Sequence, residues 1–376
     1  MSVILEASAV EVYVIPSLAY RSSYDDNFRL QTTGDSAFLE DRSIQAEFAV
    51  VDPLHRLSLF TQLSSLDYDA AGQFDSDDQF GNLKYQFNGQ RFSTGLEVGY
   101  RRDGAIADEF DISGVSLSHN VRRETLSFMF SSQYQLSPVE LISASMSYSD
   151  RRYVDGEASG LLSSEYFSAD LGLYRAVSDN VQANISTGYS EFKSPESGQT
   201  TLSNQLSLGA DWSVYDTLDI NAHGGVRRTT SRQDFTGLPG FTEEDSTTAP
   251  YVGASIDKYF LRSHIGLNFD NSLVPGSEGE LLQRRSISLL FDYQQSSRLS
   301  WGIATSWNDS EDAVAEDTLL REYGSVNTYY NYKLSQQLSV GFNLRYRWQE
   351  NDRDNDHQES YASWIQFTWR GVRQRF

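Results

Sequence analysis

The chain has no cysteine, only three methionines and seven prolines in 376 residues, and no long hydrophobic run. Without cysteine there can be no disulfide, no thiolate metal site and no cysteine nucleophile. The same absence suits a protein that crosses an oxidising periplasm. Hydrophobic residues make up 39% of the chain, and no stretch approaches the roughly 18 apolar residues that a membrane helix needs. That says nothing against membrane strands, whose alternation dilutes the hydropathy signal. Positive charge is also scarce: 30 Lys and Arg stand against 52 Asp and Glu, a net charge of -22. Nucleic acid, which needs a basic surface, is excluded as a partner. The five histidines, His55, His119, His223, His264 and His357, are scattered, with no adjacent Ser-His-Asp pattern, zinc spacing or Gly-rich phosphate loop. The chain therefore reads as a non-enzyme with no metal and no cofactor.

Aromatic residues are abundant, with 22 Tyr and 21 Phe, which favours strands over helices. In "LSVGFNLRYRW" (338–348), Leu338, Val340, Phe342, Leu344, Tyr346 and Trp348 take one parity, and Ser339, Gly341, Asn343, Arg345 and Arg347 take the other. Successive strand side chains point to opposite faces, so the segment separates two environments. The same two-residue period recurs at Phe92–Arg101, Ile142–Tyr148, Val181–Tyr189, Leu218–Arg227, Ser263–Asp270 and Leu299–Asn308. No stretch carries a helical period.

Connection length alternates as well. Short links lie at 52–55, 88–90, 137–140, 178–180, 215–217, 295–298 and 335–337, with an eighth expected near Tyr259 and Phe260. Between them run longer acidic, Gly- and Ser-rich loops such as "DYDAAGQFDSDD", "FKSPESGQ" and "NDSEDAVAED". Short turns on one side and long polar loops on the other mark a transmembrane barrel. The expected fold is all-β: one antiparallel up-and-down barrel of about 18 strands (range roughly 16–20), with both termini periplasmic and the long loops extracellular. Residues 10–376 form this single domain, and 1–9 read as the remnant of a secretory signal, because "EASA" resembles a signal's tail. Residues 103–123 read as one long outer loop, and a break at Gly371 is expected because Phe376 has the opposite parity to Ile365, Phe367 and Trp369.

Each apolar face runs about eight residues between aromatics and climbs roughly 20 Å, close to the ~25 Å apolar band of such barrels. Tyr134, Tyr174, Trp212, Tyr293 and Tyr332 are expected to form the girdle on the short-turn side, and Tyr20, Tyr100, Tyr148, Tyr189, Trp307 and Trp348 the other. A soluble sandwich also alternates, but it has no reason to place aromatics at both ends of each apolar run or to sort its loops by length. The lumen should carry both signs of charge: Glu47, Glu97, Asp219, Asp270 and Asp292 with Lys84, Arg101, Arg151, Arg227, Arg345 and Arg347. Arg345 and Arg347 read as a positive wall for an anionic polymer, and Tyr13, Tyr153 and Tyr329 as inward aromatics that fill the lumen or offer faces to sugars.

"PSLAYRSSYDDNFRL" (16–30), "YQLSPVELISASMSYSDRRY" (134–153) and "GVRRTTSR" (225–232) resemble segments of the proteobacterial outer-membrane β-barrel porin type often associated with exopolysaccharide export. The resemblance implies a passive outer-membrane conduit for a secreted polysaccharide in a Gram-negative bacterium. It further implies polysaccharide-export proteins, including periplasmic ones, as partners, while the apolar strand faces point to outer-membrane lipid and the acidic loops to lipopolysaccharide bridged by divalent cations. A general diffusion porin for small solutes, or a non-conducting structural or receptor barrel, are the alternatives. "YDDN" (24–27) reads as a turn cap rather than a ligand site. "NDRDND" (351–356) lacks the glycine and distal Glu of a calcium loop and reads as a solvated acidic loop.

Overall fold

The computed structural model describes residues 10–31, 34–69, 72–105, 121–154, 160–234, 242–314, 321–351 and 356–376. The chain folds into β1 (Glu11–Asp25), β2 (Ala37–Val51), β3 (His55–Tyr68), β4 (Ser76–Asn88), β5 (Phe92–Gly104), β6 (Arg122–Ser137), β7 (Glu140–Val154), β8 (Ser164–Ser178) and β9 (Val181–Ser194). It continues through β10 (Gln199–Tyr215), β11 (Leu218–Asp234), β12 (Thr242–Tyr259), β13 (Ser263–Pro275), β14 (Leu281–Gln294), β15 (Leu299–Asp312), β16 (Arg321–Lys333), β17 (Leu338–Asn351) and β18 (Asp356–Arg370). Each strand pairs antiparallel with the next, and β18 returns to β1 from Ser17↔Arg370 to Asp25↔Ala362. The sheet is thus closed, and every ladder bond stays within the wall, as hydrocarbon surroundings demand.

The short turns are tightly capped. The Asp52 carboxylate accepts the amides of Leu54 (2.8 Å) and His55 (2.7 Å), and those bonds hold its pKa below the usual carboxylate range. The turn at Phe260 closes when the Phe260 amide donates to the carbonyl of Ser263 at 2.7 Å. β5 and β6 pair from Phe92↔Tyr134 up to Gly104↔Arg122, so the ends of the stretch read as one outer loop are strand. Residues 106–120, the 1–9 segment and most of "NDRDND" lie outside the described residues.

A register change closes the barrel at the C-terminus. Ser17 faces Arg370 but Val14 faces Gln374, so residues 371–373 stand opposite only Ile15 and Pro16. Pro16 has no amide to donate, and its carbonyl accepts Gly371 N–H at 2.7 Å. A proline inside a ladder requires such an irregularity. A Cβ at Gly371 would lie 2.7 Å from Pro16 Cγ, so only glycine fits. The extra residue inverts parity, and Phe376, whose amide bonds to Val12 at 3.0 Å, shares the outer face again.

The two faces differ as the pattern requires. Ile44, Leu63, Leu171, Ile185, Leu208, Val226 and Leu289 are exposed on the outside. Among the described residues, buried apolar side chains form only small clusters: Ala105 with Val121, Tyr153 and Leu161; Leu30 with Tyr323; and Phe192 with Leu281 and Ala313. An apolar surface of this extent belongs against lipid, not water.

Candidate pore lining

The lumen is built from the second parity of every strand, and all eleven charged residues expected there take that parity. Lys84 on β4 pairs with Glu97 on β5 at 2.9 Å, and Asn82 donates to the same carboxylate at 2.7 Å. Glu47 on β2 meets Arg56 (3.4 Å) and Arg370 (3.6 Å), and accepts the Tyr13 hydroxyl at 3.3 Å. Arg101 reaches Asp103 at 2.5 Å, and the buried Arg123 binds that same Asp103 through two nitrogens. Arg151 keeps Nη1 without a hydrogen-bond partner, and Asp219 accepts Ser213 Oγ at 2.7 Å. Asp292 accepts the Tyr329 hydroxyl and lies 3.9 Å from His264 Nδ1, while His264 Nε2 sits 2.8 Å from Asp257. Asp270 stands at the last paired position of β13 with β12, opposite Gly253.

Several inward side chains remain wet. Lys84, Arg101 and Asp292 keep 47%, 46% and 45% of their side chains exposed, and the inward Met129 keeps 53%. A packed interior would bury them, so these side chains border open space in the lumen, as the width of an 18-strand barrel allows.

Arg345 and Arg347 do not form the bare positive wall expected of them. Both converge on Asp25 at the end of β1, at 3.6 Å and 2.9 Å. Asp25 also accepts Ser360 Oγ at 2.6 Å, and Arg345 lies over the Trp364 ring at 5.7 Å. The reason is tertiary: β1 and β17 are far apart in sequence but separated only by β18 in the closed ring. The "YDDN" residues cap backbone. Asp25 accepts the Asn27 amide at 3.0 Å and Asp26 the Tyr361 amide at 2.7 Å. Asn27 Nδ2 donates to the carbonyls of Gln31 and Glu359, both at 2.9 Å. These bonds turn the β1–β2 connection inward, so that Phe28 packs on Tyr68 and Phe74 and Leu30 on Tyr323.

Of the aromatics assigned to the girdles, all face outward except Tyr174. Trp348 lies across Gly324, where a Cβ would meet its ring at 2.0 Å, and Trp301 packs beside Tyr293 at 5.7 Å. Tyr174 is the exception. It pairs beside the outward Leu173, packs against the inward Gly172 and therefore points into the lumen. The same register shift precedes the turns of β6, β8 and β10, but Tyr134 and Trp212 stand three residues before the last paired residue of their strand and Tyr174 stands four before Ser178, which puts it on the other face.

A second inward element occupies the outer mouth. β13 leaves β12 above Asp270, and its outer half tucks inside the wall with β14. Leu273 and Leu281 pack with Tyr166 of β8 and Phe192 of β9. At the β13–β14 turn, Ser277 O accepts the Leu162 amide at 2.7 Å and Gly279 O accepts Ser197 Oγ at 3.3 Å. Arg321 of β16 pairs with Glu278 and reaches Glu280 at 3.6 Å. The predicted Arg227 lies beneath this hairpin, donating to Asn271 O at 3.1 Å and stacked over Tyr251 at 4.6 Å. Neither Arg321 nor the glutamates stood out in the sequence, because an inward hairpin looks like any outer loop until the ring is closed.

Similar architectures occur among solved structures. Acinetobacter baumannii OccAB4 shares 10% identity over 98% of this chain and 99% of its own, with a TM-score of 0.49. Pseudomonas aeruginosa OccK2 (OpdF), crystallised with glucuronate, shares 10% over 96% and 98%, with a TM-score of 0.49. P. aeruginosa OpdK, crystallised with vanillate, shares 10% over 96% and 99%, with a TM-score of 0.47. The fold of this chain is a closed antiparallel up-and-down β-barrel of 18 strands. No family model matches the chain, and no curated protein matches it. With its closed wall and apolar exterior, the protein is built as an outer-membrane barrel. Nothing in these comparisons links it to polysaccharide export.

Proposed function

We propose that the protein is a passive outer-membrane channel for small polar solutes. The observation that carries this reading is the wet lumen: inward Lys84, Arg101 and Asp292 stay about half exposed behind a wall whose other face is apolar. Rows of both signs, such as Lys84 with Glu97 and Arg101 with Asp103, favour hydrated polar solutes over apolar ones. The exopolysaccharide conduit that the sequence resemblance implied fits less well. Two elements, 26–31 and 276–280, fold across the outer mouth, where a polymer would need an unobstructed bore.

The test is conductance in planar bilayers, combined with swelling of proteoliposomes in sugars of increasing size. Steps of defined conductance with uptake of monosaccharides, falling off for oligosaccharides, are the expected result. A barrel that inserts but never conducts would support a structural or receptor role instead. Free passage of long polysaccharide chains would restore the export reading.

A further inference from the structure

Adjacent strands elsewhere in the wall stay paired along most of their length, but β12 and β13 separate halfway. Their ladder runs only from Tyr259↔His264 to Gly253↔Asp270, although β12 continues outward to Thr242 and β13 to Pro275. Above the split, β12 pairs with β11 alone, from Val226↔Pro250 to Asp234↔Thr242. The local sequence explains why the seam opens. Pro250 turns its carbonyl toward β13, where Asn271 Nδ2 reaches it at 3.5 Å. In a strand the amide and carbonyl of one residue point to the same side, so this edge lacks a donor where β13 would need one.

The freed half of β13, carrying β14 and the outer end of β15 that pairs with it from Leu282↔Asp312, lies instead on the inner wall. Small polar residues form its bed: Thr201, Ser203 and Ser207 on β10 and Thr229 on β11 are all nearly fully buried. The hairpin is held there by Leu273 and Leu281 against Tyr166 and Phe192, and by Arg321 gripping Glu278 and Glu280. The fit is incomplete. A cavity of about 150 Å³ remains, lined by Arg227, Tyr251, Asp170, Gln205 and Ser272. Beside it Arg227 Nε and Nη1 and Asn271 Oδ1 are buried without hydrogen-bond partners. Buried unpaired polar groups and an unpaired strand edge both weigh against the docked arrangement. The apolar cluster and the Arg321 pairs weigh for it.

Two packings opposed in this way make a two-state element. We propose that the outer half of the β13–β14 hairpin, with the outer end of β15 that stays laddered to β14, is a gate, docked across the mouth in this structure and able to swing outward about Gly253 and Asp270 to widen the lumen. This rests on the channel reading above, because a gate needs a conducting bore. Arg321 is the latch. It reaches from β16 to both glutamates of the hairpin, while Tyr323, the next inward residue on the same strand, packs on Leu30 of the other inward segment.

The chain's lack of cysteine makes the test clean. A Leu162→Cys, Ser277→Cys double variant places two thiols at positions already joined by a backbone hydrogen bond of 2.7 Å, within reach of a disulfide. Single channels of the full chain are recorded oxidised and then reduced, with heat-modifiable gel migration reporting folding. The oxidised variant should show only a lower conductance level, and reductant should restore transitions to a higher one. Arg321→Gln, without any crosslink, should raise the open-to-closed dwell ratio about tenfold, the loss of one charge-assisted contact. Conductance that is the same in the oxidised and reduced states would overturn the gate and leave the channel intact. An unchanged dwell ratio in Arg321→Gln would overturn the latch. A folded chain that conducts under none of these conditions would remove the channel reading, and the gate with it.

Discussion

The assignment of lipid to one face and water to the other can be tested at two neighbouring residues of β9. Ile185 stands midway between Val181 and Tyr189, is 44% exposed, and pairs with Leu173 and Leu208, which are 44% and 63% exposed. Four residues at about 3.4 Å, tilted by about 40°, place it roughly 10 Å from either end of the apolar band, close to the bilayer midplane. Ile185→Arg should therefore cost about 2–4 kcal/mol of folding free energy in lipid. That is a change of about 30- to 900-fold in the folding equilibrium. Asn184, one residue earlier, faces inward and pairs with Gly209 and Tyr174. Asn184→Arg should stay within about 0.5 kcal/mol, as a substitution on a solvated face does. Reversible urea unfolding in phospholipid vesicles, followed by tryptophan fluorescence and by gel migration, measures both. If Asn184→Arg cost as much as Ile185→Arg, the face assignment would be wrong, along with the channel reading that follows from it.

Asp25→Asn removes the carboxylate shared by Arg345, Arg347 and Ser360; stability should fall by roughly 3–5 kcal/mol as a buried pair is broken. The channel's reversal potential in a salt gradient should also move toward anion selectivity, and an unmoved potential would show that these arginines do not face the conducting path. Gly371→Val drives a Cβ against Pro16 Cγ at 2.7 Å and its carbonyl at 3.0 Å, and should destabilise by about 1–3 kcal/mol in thermal gel-shift assays. Burial, reinforced by Glu278 and Asp312 and only partly offset by Arg321, raises the Glu280 pKa in the docked hairpin. A carboxyl that binds its proton more tightly when docked favours docking as the pH falls through that raised value. Acid should therefore lengthen closed dwells. Longer open dwells in acid would contradict that sign.

Much of the wall was legible before any coordinates, because a strand between lipid and water must alternate and a spanning sheet must close. Phe342 and Leu344 outside, with Arg345 and Arg347 inside, follow from their odd and even positions alone. The eighth turn at Phe260 and the break at Gly371 were visible for the same reason, since each must keep or restore parity. Tyr174 was misplaced because it stands four residues before the last paired residue of its strand, where Tyr134 and Trp212 stand three. The partners of Arg345 and Arg347 were out of reach, since Asp25 lies at the opposite end of the chain.

Residue order by itself determined the barrel architecture, the approximate number of strands, the face taken by all but a few side chains and the membrane in which such a barrel can live. These depend on neighbours one or two positions away and on the solvent each face meets. Only the tertiary structure decided what the charged groups meet across the lumen and where the wall opens. Asp25 finds Arg347, and Glu278 finds Arg321, only after the ring has closed. The seam opens beside Pro250, and the fate of the strand that leaves it depends on contacts with β8 and β9, several strands away.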